Sequence, residues 1–144
     1  MLNSIFIFLF IISLVVALFF VLMVYVLPSF NRRRVAGYEM PESWERVLNT
    51  KQPSFELLKD SQKEEVRKLV KIFMAEKFLE PEKLKWDEQI LICSTVALKV
   101  YDKKHRYLSK LSTIRIGKKQ NLGQGLIEVP SIESLNDVEF KKWF

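Results

Sequence analysis

One histidine, one cysteine and four glycines in 144 residues remove several chemistries before any pattern is read. A lone cysteine closes no internal disulfide. Cys93 lies in the apolar stretch Ile90-Leu91-Ile92-Cys93, so it reads as a buried structural thiol. Structural zinc asks for four His/Cys ligands and catalytic zinc typically for three protein ligands, which His105 and a distant Cys93 do not supply. There is no HExxH, no glycine-rich phosphate loop and no G-x-S-x-G. His105 sits among lysines and reads as a surface residue. Internal repeats are absent as well.

Charge is missing from the start of the chain: all 23 basic and 17 acidic residues come after residue 31. In their place residues 5–27 form one apolar run, IFIFLFIISLVVALFFVLMVYVL, broken only by Ser13 and the hydroxyl of Tyr25. At about 1.5 Å per residue such a helix spans a bilayer core about 30 Å thick, with some tilt. A cleaved signal peptide would have a basic start, a shorter apolar core and a small-x-small cut; residues 1–4 carry no basic side chain and residues 24–28 offer no such cut. A buried soluble helix is the other reading, but the remaining chain is too small to wrap a helix apolar on every face. The run is therefore read as a transmembrane anchor. Arg32, Arg33 and Arg34 follow it and put that side in the cytoplasm by the positive-inside rule. Tyr25 falls where an interfacial aromatic would sit, and Pro28 is expected to end the helix.

The domain organisation expected is an anchor over residues 1–27, a juxtamembrane linker over 28–41 punctuated by Pro28, Gly37 and Pro41, and a cytoplasmic α+β domain over 42–144 that holds one modest core. The net charge of +6 suits anionic lipid headgroups beside the anchor better than nucleic acid, because most basic residues alternate with acidic ones. The expected partners are the bilayer and its anionic headgroups.

Within the domain, Trp44, Val47 and Leu48 share one face of a short helix from residue 42. Ser61 and Glu64 fit a capping box, and Val66, Leu69, Val70, Phe73 and Met74 recur at helical spacing, with Phe78 extending the stripe. Lys63, Glu64, Arg67, Lys68 and Lys71 take the wet side. A helix over 87–101 is apolar on most of its circumference and is expected at the centre of the core. Residues 111–116 alternate as a half-buried strand, and residues 126–129 are expected to pair with it. A last amphipathic helix, with Ser131 as its cap, would turn Ile132, Leu135, Val138 and Trp143 inward. Trp44 and Trp143 are expected to be partly exposed. The acidic pairs Glu64-Glu65, Glu80/Glu82 and Asp87-Glu88 read as helix starts that favour the positive end of the dipole. The fold class expected is a single transmembrane helix followed by a small α+β domain of three to four helices and about two strands.

This order of elements resembles a known family. Pro41-Glu42-Ser43-Trp44 opens a helix, Phe55-Glu56-Leu57-Leu58 precedes the next, and that one ends in Phe73-Met74-Ala75-Glu76-Lys77-Phe78. The helix from Asp87 through Ala97 follows, then Tyr107 and a strand over 112–116. Over residues 41–129 this is similar to the N-terminal half of the MtfA-like (glucose-regulated, M90) zinc metallopeptidases, and it implies a zincin-like N-terminal arrangement. The structural positions that match are Trp44, Phe73, Glu76, Lys77, Ala97 and Tyr107. The family's HExxH helix, which carries two zinc histidines and the general base, has no counterpart where the chain reads DVEFKKWF (residues 137–144), so no catalytic residue and no metal ligand carries over. Three readings follow. The first is a membrane-anchored, non-catalytic relative acting as a binding or regulatory module, with regulatory protein partners implied by the resemblance and no cofactor. The second is a truncated or split peptidase, with zinc only if the catalytic half is supplied elsewhere. The third is an unrelated small membrane protein with a structural or interaction role.

Overall fold

The computed structural model describes residues 2–80, 83–104, 106–117 and 120–143, with the side chains of 2–5, 25 and 141–142 excepted. The chain divides into two compact units at Arg34/Val35.

The first unit is helical over its described residues. Helix α1 (Leu2–Val21) is followed by a π-helical turn (Leu22–Val26) and by α2 (Leu27–Gly37), which runs on into the second unit. Together Phe6–Gly37 form one helix long and apolar enough to cross a membrane, with none of its apolar window buried. Its outward Phe, Leu, Ile and Val side chains are 43–70% exposed all round the helix. Pro28 does not end the helix. It stands in the first turn of α2, directly after the π-helical turn. There the wider backbone spacing accommodates a residue with no N–H to give. Residues 28–41, expected to be a linker, are thus helical as far as Gly37. The interfacial placement expected of the Tyr25 side chain lies outside the described residues.

The second unit is a small α+β fold. Its elements are α3 (Glu42–Lys51), α4 (Pro53–Glu56), α5 (Asp60–Glu76), β1 (Phe78–Glu80), α6 (Trp86–Val100), β2 (Thr113–Ile116), β3 (Asn121–Leu122), β4 (Leu126–Val129) and two 3-10 turns (Glu133–Asp137 and Phe140–Trp143). The sheet order is β1-β2-β4-β3. Strands β1, β2 and β4 are mutually parallel, and β3 runs antiparallel to β4. Four strands stand where about two were expected, because β1 and β3 are too short to show a period of two. The register lays Leu79, Ile114, Ile127 and Leu122 in one row across the sheet, and Glu80, Arg115, Glu128 and Asn121 in the next. Side chains alternate faces along a strand, so the first row meets the core and the second is ionic. The β3–β4 connection holds Gly125 at φ +72°, the left-handed position a three-residue hairpin favours. Its carbonyl accepts the N–H groups of Ser112 and Thr113.

Helix α6 is the centre of the core, as its all-round apolar pattern predicts: Ile90, Ile92, Cys93, Val96, Ala97 and Val100 are each at most 1% exposed. Its polar interior residues Ser94 and Thr95 are satisfied locally by the Leu91 carbonyl, at 2.9 and 2.8 Å. Gln52 Nε2 donates to both hydroxyls and ties α3 to α6. Helix α5 packs Val66, Leu69, Val70, Ile72 and Phe73 against it.

Five local expectations are corrected. Helix α5 begins at Asp60, so its N-terminal donor is met by Gln62, whose Oε1 accepts from Lys59 N–H at 3.0 Å, and not by Ser61 and Glu64. Phe78 is not on the α5 stripe: the backbone leaves the helix at Lys77, and Phe78 is exposed on β1. Glu80 is a strand residue paired to Arg115 rather than part of a helix start, while Glu82 lies outside the described residues. The closing segment forms two 3-10 turns instead of one helix, although Leu135, Val138 and Trp143 do turn inward. Trp143 is 1% exposed, packed by Phe140 and the core, and is not a partly exposed residue.

Candidate functional site

The concave feature that gathers aromatic side chains is a groove of about 300 Å³ in the second unit. Its walls come from the last turn of α2 (Val35) and the segment after it (Tyr38, Pro41), from α3 (Trp44), from α5 (Lys71, Met74, Ala75) and from the start of α6 (Trp86). Trp44 is half-buried because it sits one turn before the buried Val47 and Leu48. Trp86 opens α6 and stays out of the core; Lys85 N–H donates to Glu88 Oε2 at 2.8 Å and closes that helix start. The two indoles stack with centroids 6.3 Å apart and planes inclined by 29°.

Lys71 forms the floor of this groove. It was expected on the wet face of α5, yet it is 8% exposed. Its stem lies along the helix surface, and its ammonium donates to the carbonyls of Ala36, at 2.8 Å, and of Tyr38. Those carbonyls lie at and just past the end of α2, where helix oxygens lack intrahelical partners. Loss of hydration on burial holds the Lys71 pKa below its ordinary value, with Glu64 opposing and Lys68 and Arg67 adding to the fall.

Just past the C-terminal end of α5, Lys77 repeats the arrangement. Its ammonium donates to Leu108 O at 2.8 Å and Leu111 O at 2.7 Å, and lies 5.8 Å from the Phe73 ring centroid. Leu108, fully buried at φ +48°, is a branched residue in the left-handed region, held there on the turn that leads into β2.

Two ion-pair systems sit beside these. Arg67 grips Glu45 with two nitrogens, the shortest contact being 2.5 Å, and Glu64 lies 3.8 Å away. The hydrogen bond to Glu45 keeps the guanidinium pKa above its usual value. On the sheet, Arg115 donates to Glu80 and lies 3.9 Å from Glu128, and the Glu80 bond raises its pKa too. A Cβ on Gly117 would come within 2.0 Å of Glu128 Oε1, so the bare glycine makes room for this pair.

The residues singled out from sequence do not converge on one place. Arg33 and Arg34 are exposed and Arg32 partly so, all on α2. Trp44 lines the groove. Phe73 and Lys77 are in contact with each other, Ala97 is fully buried in α6, and Glu76 is half-buried at the end of α5. Tyr107 lies under the Arg106 guanidinium, 5.7 Å from ring centroid to Cζ. His105 lies outside the described residues. Sequence reasoning missed Trp86, Tyr38 and Lys71. The motif Lys83-Leu84-Lys85-Trp86, an aromatic among lysines just before a helix, was the one available signal.

Among the described residues the donor chemistry does not fit a zinc ion. Among the described residues no group of three or more His, Cys, Asp or Glu side chains is placed to hold a metal. Cys93 is fully buried, and desolvation pushes its thiol pKa up to about 12, slightly offset by Lys77. Metal ligation needs the thiolate.

A layered α+β unit whose parallel strands β1 and β2 are joined through a buried helix is the class this fold defines. The model of the glucose-regulated metallo-peptidase M90 family matches residues 27–122, from α2 through β3. The chain belongs to that family. Helix α1 lies outside the matched region. Comparison with curated proteins and with solved structures gives no match.

Proposed function

We propose that this chain is a membrane-anchored, non-catalytic member of the M90 family that acts as a binding or regulatory module at the cytoplasmic membrane surface. The observation that carries the reading is the donor set: a family described by its metallopeptidase activity is represented here by a chain with one histidine and a buried, protonated cysteine. Without the metal there is no Lewis acid and no activated water for peptide hydrolysis. The apolar helix Phe6–Gly37 supports anchorage, and Arg32, Arg33 and Arg34 support a cytoplasmic domain. Its partners on this reading are the bilayer, anionic headgroups through the arginines, and a regulatory protein.

The experiment is a peptidase assay on the full chain in mild detergent, with and without added zinc, beside a protease-protection assay on sealed vesicles of known sidedness. The expected results are no turnover under either condition and a domain digested only from the cytoplasmic side. Zinc-dependent turnover abolished by a chelator would overturn the non-catalytic reading, and digestion from the opposite side would overturn the orientation.

Family membership itself favours a second reading, a split metallopeptidase completed by a separate chain. The reading frame directly downstream of this one discriminates: an HExxH there favours a split enzyme, and its absence favours the binding module.

A further inference from the structure

Among the described residues of the second unit, four large hydrophobic side chains are exposed: Tyr38, Leu57, Phe78 and Trp86. Two of them, Tyr38 at 54% and Trp86 at 64%, line the same groove as the half-buried Trp44. We propose that this groove is a lipid site. It takes the glycerol and upper acyl region of a phospholipid from the bilayer that the apolar helix enters, an inference that rests on the anchorage proposed above.

The first argument is chemical. Tryptophan and tyrosine combine an apolar ring with one polar end and partition to the membrane–water interface. The remaining walls, Val35, Pro41, Met74 and Ala75, are apolar and suit a hydrocarbon chain better than a polar ligand. The Lys71 ammonium on the floor is engaged by the Ala36 and Tyr38 carbonyls, so it is not offered to a ligand anion.

The second argument is continuity of the chain. Val35 follows Arg34 directly, and Tyr38 stands four residues after it. A fully extended backbone covers at most about 3.6 Å per residue, so Tyr38 is held within roughly 14 Å of Arg34 whatever the domain's orientation. If the arginines lie among headgroups, one wall of the groove is held at headgroup depth or just beyond.

The third is charge. Lys85, directly before Trp86 in the chain, and Lys83, three residues before it, are both exposed, so positive charge lies close in sequence to the aromatic wall. Glu39 also lines the groove and opposes anionic headgroups. Aromatic and apolar partition therefore dominates, and the lysines add a preference for anionic lipid.

The test uses the full chain, one copy per nanodisc, in phosphatidylcholine with a minority of phosphatidylglycerol. Discs with ordinary acyl chains are compared with discs whose phosphatidylcholine is brominated near the glycerol, since bromine quenches indole emission at contact range. Trp86 is exposed and outside the core, so Trp86→Phe leaves the fold intact. The wild type is expected to lose about half its tryptophan emission in brominated discs and W86F less than about a quarter, because partition of exposed indoles to the interface drives the contact. Equal fractional quenching in the two proteins, or none in either, would overturn the lipid site. Trp86 shielded from aqueous iodide but unquenched by bromine would place a protein segment there and also overturn it. Alkaline carbonate extraction separates the two claims. A chain that stays in the membrane with Trp86 unquenched contradicts the groove alone, whereas a chain released by carbonate contradicts the anchorage.

Discussion

The two units of this chain use the same apolar side chains under opposite rules. Before Arg32 there is no charge at all, and leucine, isoleucine, valine and phenylalanine point outward all round the helix. From Val35 onward the same residue types are sorted to one side of most elements, with the polar neighbours on the other, and α6, apolar all round, is wrapped by the rest of the domain. A helix of the first kind satisfies its backbone internally and has no wet face, and it is long and apolar enough to cross a membrane. A fold of the second kind gains its stability by taking apolar surface out of water. What distinguishes them is the interleaving of polar residues at helical spacing, not hydrophobicity itself.

The contrast breaks first where charge is placed. Replacing Val16 and Phe19 with arginine, both near the middle of the apolar run, should cost about 2.5–3.5 kcal/mol of insertion per residue. Membrane retention after carbonate washing should then be lost. Arginine at Asn49, exposed on α3, should leave both retention and thermal stability unchanged.

The second unit breaks instead when apolar volume is removed. Phe73 is fully buried between α5 and α6, and Phe73→Ala should destabilise the domain by about 3–5 kcal/mol, read by urea unfolding of the full chain in detergent. The same removal in the first unit, Phe10→Ala at 70% exposure, should leave domain unfolding untouched.

Alkaline pH offers a third test. In the folded chain the Cys93 thiol holds its proton to about 12, against an ordinary value of 9.0. Between those values the unfolded chain has lost the proton and the folded one has kept it, so fewer protons are bound on unfolding and stability falls as pH rises. The contribution is fully present below about pH 9 and is lost progressively towards pH 12. The stability difference between wild type and Cys93→Ala should therefore narrow by roughly 3 kcal/mol from pH 8 to pH 11. A difference that stays constant would mean the thiol is not buried.

The buried lysines sharpen the comparison within the domain. Lys77 serves carbonyls of Leu108 and Leu111, residues at most 1% exposed, whereas Lys71 serves those of Ala36 and the exposed Tyr38. Water can replace the ammonium near Tyr38 but not beside Leu108. Lys77→Met should cost about 2 kcal/mol and Lys71→Met about 1 kcal/mol, since a dry unsatisfied acceptor carries the larger penalty. Hydrogen exchange at the amides of residues 36–40 should rise in K71M and not in K77M.

Much of the fold is legible in the sequence where a pattern is long enough to repeat. The apolar run, α5 and α6 are such patterns, and β2 and β4 alternate over four residues each. The misreadings are short or depend on distant partners. With three and two residues, β1 and β3 carry no period, and Phe78 continues a helical stripe by spacing although the backbone has already turned extended. A two-residue shift in the start of α5 moves the capping role from Glu64 to Gln62. Lys71 counts as a wet residue by its charge, and only the carbonyls of residues 36 and 38 explain its burial. The groove joins Tyr38, Trp44 and Trp86 across more than forty residues, a proximity no local pattern encodes.

The measurement closest to the central claim is the zinc content of the full chain, purified from zinc-replete cells without chelators and weighed by native mass spectrometry. The expected result is the mass of the bare polypeptide and no gain on titration with zinc at micromolar concentration. One zinc per chain, retained through dialysis, would contradict it.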